Sequence, residues 1–91
     1  MNAQEARNLA KSKFESDKMV LLSMIIDLIK RSIENNEYSL KIFFVNHNNQ
    51  TNITYGKPIN IHRMFKTFIV EELKKLEYSI IEHPDVIYIR W

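Results

Sequence analysis

Between Lys18 and Asn35 the chain carries more large apolar side chains than a helix can hide against a single neighbour. Met19, Val20, Leu21, Leu22, Met24, Ile25, Ile26, Leu28, Ile29 and Ile33 fill the stretch. The polar residues Ser23, Asp27, Lys30, Arg31 and Glu34 recur every three or four positions and form one narrow strip. An ordinary surface helix shows an apolar stripe a little over 100° wide, and this one covers most of the circumference. A chain of 91 residues rarely builds a core that surrounds a helix. The helix is therefore expected to lie on its own sheet with one side. Its other side is expected to meet a second chain or a preceding helix. Met19, Leu22, Ile25, Ile26, Ile29 and Ile33 are the expected interface of a homo-oligomer. A membrane span needs about 20 predominantly apolar residues, and Asp27, Lys30 and Arg31 interrupt this shorter run. No membrane partner is expected. The polar opening Met1–Arg7 does not resemble a signal peptide, so a cytoplasmic setting is expected.

Around this helix the pattern reads α(α)β(β)αββ within a single domain, 1–91. Asn2 with Glu5 three residues on looks like a helix start, and Ala3, Ala6, Ala10 and Phe14 recur at helical spacing. Ser16 or Asp17 caps a second helix, or one long helix runs through. Asn35-Asn36 ends it, since Asn tolerates left-handed backbone. Tyr38–Val45 alternates as a strand, 46–52 is an Asn-rich loop, and Ile53–Tyr55 reads as a short partner strand closed by Gly56-Lys57-Pro58. Asn60 is the expected cap of a helix reaching Leu76, with Ile61, Met64, Phe65, Phe68, Ile69, Leu73 and Leu76 at its apolar positions. Tyr78–Glu82 and Val86–Trp91 form a hairpin about His83-Pro84-Asp85. The class is α+β, a two-layer sandwich with helices on one face of a small, mainly antiparallel sheet. Glu37-Tyr38-Ser39-Leu40 and Glu77-Tyr78-Ser79-Ile80 echo one another, and convergence at similar junctions accounts for the echo.

Sites with a sequence signature are missing. One glycine rules out glycine-rich phosphate loops, and zero cysteine rules out disulfide scaffolds, thiolate zinc and a cysteine nucleophile. His47, His62 and His83 stand on separate elements without ligand spacing, so no metal or cofactor is expected. His83-Pro84-Asp85 is the tripeptide of J-domain co-chaperones, but only six residues follow it and they alternate as a strand. Glu71 and Glu72 beside Lys74 and Lys75 read as a solvated helix face. An enzyme is not expected.

The net charge of +2 is a small excess with no dominant basic stripe. A helix followed by a hairpin nevertheless mimics a winged-helix recognition unit, with Lys57, His62, Arg63 and Lys66 as phosphate contacts. Glu71 and Glu72 oppose that arrangement. A small nucleotide ligand needs only a few cations and an aromatic surface. Arg7, Lys11, Lys57, Arg63, Lys66 and Arg90, with Tyr55, Tyr88 and Trp91, supply those pieces.

The opening Met1-Asn2-Ala3-Gln4-Glu5-Ala6-Arg7 resembles small uncharacterised accessory proteins of bacterial viruses. The same holds for the helix leading into Glu37–Ile42, for Leu73-Lys74-Lys75-Leu76-Glu77-Tyr78-Ser79-Ile80, and for the closing Tyr88-Ile89-Arg90-Trp91. Those proteins tend to carry glycine where Glu77 stands, so the junction geometry here is expected to differ. The resemblance implies host takeover or anti-defence: occupying a host protein or sequestering a nucleotide signal. It carries over no catalytic residue.

Overall fold

The computed structural model describes residues 1–47 and 50–91. Residues 48 and 49 of the expected Asn-rich loop lie outside the described residues. Helix α1 spans Ala3–Glu34 without a break. No glycine or proline occurs before Gly56, and the pairs Lys13–Asp17 at 3.2 Å and Glu15–Lys18 at 2.7 Å bridge the point where a second cap was conceivable. Asn2 caps the start, its Oδ1 accepting the Glu5 N–H at 2.8 Å. A helix of this length is about 48 Å long, which sets the longest dimension of the molecule, 51 Å. Residues 1–13 are exposed throughout. The arm first meets the body at Phe14, whose ring stacks on Phe65 with centroids 5.2 Å apart.

Four strands follow: β1 (Ser39–Val45), β2 (Ile59–His62), β3 (Ser79–Glu82) and β4 (Val86–Arg90), in the spatial order β2-β1-β4-β3. The pairings β1–β4 and β3–β4 are antiparallel, while β1–β2 is parallel. Helix α2 (Lys66–Lys75) lies between β2 and β3 in the chain and is led in by a 3-10 turn at Arg63–Phe65. This is the expected α+β class and element order. Alternation sends Ile42, Phe44, Ile59, Ile61, Ile87 and Ile89 to one face, where they pack with Ile25, Leu28 and Ile29 of α1 and Ile69, Val70 and Leu73 of α2.

Two expected elements differ. Ile59–His62 is a strand, so Asn60 caps nothing and α2 begins six residues later. Ile59 and Ile61 are both buried at a two-residue period. The turn into α2 is capped by His62, whose Nδ1 accepts the Met64 N–H at 3.0 Å. Met64 and Leu76, placed in the core by the longer helix, are half exposed. Ile53–Tyr55 forms no strand; its neighbour Asn52 makes a single bridge to Asn60.

Both helices end alike. The Glu37 N–H reaches Ser32 O and the Asn36 N–H reaches Ile33 O, while Tyr78 and Glu77 bond Leu73 O and Lys74 O in the same way. Each is a Schellman motif with one left-handed residue, Asn36 at φ 60° and Glu77 at φ 70°. The repeated Glu-Tyr-Ser stretches are therefore out of step, because the left-handed residue precedes Glu37 in one copy and is Glu77 itself in the other. The Glu77 junction keeps the glycine-type geometry that its side chain was expected to disturb. Left-handed backbone costs a residue with a Cβ about 1–2 kcal/mol, partly offset by the greater chain entropy of glycine. Glu77→Gly should thus stabilise the protein by about 1 kcal/mol in urea unfolding.

Candidate binding surfaces

The expected ligand or nucleic-acid contacts Lys57, His62, Arg63, Lys66, Arg90 and Trp91 do not converge. Arg63 donates through Nη1 to Pro84 O at 2.8 Å and through Nε to Asn46 Oδ1 at 3.2 Å, and it pairs through Nη2 with the Asp85 carboxylate. Lys66 Nζ donates to His83 O at 2.8 Å and Pro84 O at 3.1 Å, with Glu82 at 3.8 Å. These two side chains tie the start of α2 to the His83-Pro84-Asp85 turn, which joins β3 to β4. His62 is committed to its cap. The three lie at the Val45 end of β1. Arg90 and Trp91 lie at the Ser39 end, about 20 Å away along the strand. Trp91 donates from Nε1 to Glu37 O at 3.2 Å, closing the C-terminus onto the helix–strand junction. Lys57 is exposed on the loop before β2. Strand β2 and a 3-10 turn stand directly before α2, the position that a winged-helix arrangement gives to another helix.

The expected oligomer seam divides in two. Ile25 and Ile29 are 0% and 1% exposed and belong to the molecule's own core, since the buried face of α1 is centred on Ile25, Leu28, Ile29 and Ser32. They are not available to a partner. Met19 and Ile33 are 58% and 52% exposed, with Leu22 and Ile26 half-buried between them. Met19, Leu22, Ile26, Ile29 and Ile33 follow a three-four-three-four spacing, the a/d pattern of a coiled-coil seam. Val20 and Met24 are exposed on the opposite flank of the helix.

Among the described residues, no helix packs on the second face of the sheet. Its central strands present Phe43 and Tyr88, with Lys41 Nζ 4.6 Å and 5.3 Å from the two ring centroids. Arg90 stands beyond them, cross-strand from Ser39 and Ser79. Among the described residues, no Asp or Glu occupies an outward strand position.

A cavity of about 330 Å³ opens where β1 runs ahead of its parallel neighbour. β2 pairs with β1 only from Ile42 onward. Ser32, Glu37, Lys41, Tyr55 and Lys57 are among the residues around it. The Tyr55 hydroxyl donates to Glu37 Oε1 at 2.8 Å. That bond, aided by burial and by the Glu37 charge against a smaller opposing effect of Arg31, raises the phenol above its ordinary value of 10.0. Ser32 is 0% exposed, and its Oγ has no hydrogen-bond partner among the described residues. Neither Ser32 nor Glu37 was among the expected site residues. The signal for Ser32 was its spacing: it follows Ile25, Leu28 and Ile29 on the same helical face.

Comparison with known protein families, with curated proteins and with solved structures finds no match for this chain. Among the described residues, no helix is long and apolar enough to cross a membrane, and no three His, Asp or Glu side chains group as metal ligands.

Proposed function

We propose that this chain is a non-enzymatic binding protein, self-associated through α1, that works by occupying its target one for one. The observation that carries the reading is the row Met19, Leu22, Ile26 and Ile33. It keeps coiled-coil spacing, with Met19 and Ile33 more than half exposed and Leu22 and Ile26 half-buried between them at the edge of the core. A short domain gains little from apolar side chains in water, and a second copy of the same helix would bury them. The resemblance to accessory proteins of bacterial viruses gives the target class: a host or defence component in the bacterial cytoplasm, either a protein or a nucleotide signal. Native mass spectrometry of the wild type should give a multiple of 10.9 kDa. Met19→Glu with Ile33→Glu, both at exposed positions, should return it to that mass with the circular dichroism spectrum unchanged. A wild type that stays at 10.9 kDa at tens of micromolar contradicts the reading.

A second reading places single-stranded nucleic acid on the open sheet face. Phe43 and Tyr88 on the central strands, with Lys41 and Arg90 beside them and no outward carboxylate, have the make-up of a base-stacking platform. Titration with a fluorescent oligonucleotide should show affinity that falls with salt and falls further in Tyr88→Ala and Arg90→Ala. Arg63→Ala should leave that affinity alone and instead lower stability by about 1–2 kcal/mol, because its partners are the hairpin turn. Absence of binding at low salt ends this reading.

A further inference from the structure

The cavity beside β1 combines four features that call for one kind of ligand. The first is the Ser32 hydroxyl, fully buried at the cavity and without a partner among the described residues. A buried hydroxyl left unbonded costs free energy, and replacing it with an apolar group relieves that cost. The second is the bare flank of β1. Phe44 donates its N–H to Asp85 O on the β4 side. By alternation, Ser39 and Lys41 face the other side; the Ile42–Ile59 pairing takes up the Lys41 C=O, which leaves the Lys41 N–H and both Ser39 groups ahead of β2. An unpaired strand edge offers donors and acceptors in one plane, a match for the edge of a planar heterocycle. Leu28, Leu40, Pro58 and Ile59 supply apolar wall around it. Third is the Glu37 carboxylate, held by Tyr55, an acceptor of the kind that takes the hydroxyls of a ribose. Fourth is the ammonium of Lys57, a residue of the lining.

We propose that this cavity binds a nucleoside monophosphate. The base lies along the β1 edge, the ribose hydroxyls meet Glu37, and the phosphate is met by Lys57. About 330 Å³ is at the small end of ligand pockets, which suits one nucleotide unit rather than a dinucleotide. The inference rests on the reading of the chain as a binding protein and deepens its nucleotide branch. The seam on α1 is separate from it.

Isothermal titration calorimetry of the full chain tests this with AMP, GMP, CMP and UMP, and with the matching nucleoside and inorganic phosphate alone. At least one monophosphate should bind, with its nucleoside about tenfold weaker or worse and phosphate alone undetected. Ser32→Ala and Lys57→Ala should each weaken binding about tenfold, the loss of roughly one good hydrogen bond. Ser32→Ala should also raise the melting temperature of the unliganded protein, which shows that lost binding is not lost folding. Failure of all four nucleotides to bind at millimolar concentration overturns the proposal. Binding unchanged in both variants overturns it too, since the ligand then sits elsewhere. Neither result alters the oligomer mass that tests the α1 seam, so the two failures are distinguishable.

Discussion

The fold depends on one line of contact, the seating of Ile25, Leu28 and Ile29 of α1 on the buried face of the sheet. Four of the sheet's isoleucines, Ile42, Ile61, Ile87 and Ile89, are completely enclosed on that face. Burying an aliphatic side chain of this size is worth about 1.5–3 kcal/mol. The contact uses only part of a helix of 32 residues. Upstream of Phe14 the helix has no body to rest on, and beside the contact Met19, Val20, Met24 and Ile33 face outward. Geometry makes this unavoidable: four short strands present a face much narrower than the helix is long. The second helix closes the layer, and Arg63 and Lys66 hold its start against the hairpin turn.

Local chemistry was legible wherever it was strong. The Asn2 cap, the Asn36 termination, the β1 alternation and the hairpin about Pro84 all rest on neighbours within a few residues, and all formed as their residues indicate. The start of α2 was hidden because Ile61, Met64 and Phe65 satisfy a helical period while Ile59 and Ile61 satisfy a strand period. The deciding factor was parallel pairing with β1, a long-range contact with no local signature. Charge misled for a similar reason. Arg63 and Lys66 look like phosphate ligands in a linear sequence, yet carbonyl and carboxylate groups some 17 to 22 residues away take them up.

On α1 the same separation between pattern and position decides which residues lie open to a partner. Periodicity identified an over-apolar helix, but only the structure distinguished Ile25 and Ile29, which the sheet covers, from Met19 and Ile33, which it does not. Ser32 reverses the case. It is a polar residue at a core phase of the helix, and its hydroxyl sits beside the one stretch of β1 that β2 leaves unpaired. Apolar groups outside the core and a polar group within it are both costly for folding alone. A second chain and a bound ligand would make use of each.

The central claim is that the Met19–Ile33 flank of α1 meets a second copy, and the chain's lack of cysteine permits a direct test. Single cysteines are introduced as Met19→Cys, Ile26→Cys and Ile33→Cys, with Ser23→Cys and Asp27→Cys on the polar strip as controls. Each variant is treated with a short thiol-reactive cross-linker and resolved on a denaturing gel. The account predicts covalent dimers from the first three and monomer from the controls. Equal cross-linking at all five positions, or at none, contradicts it.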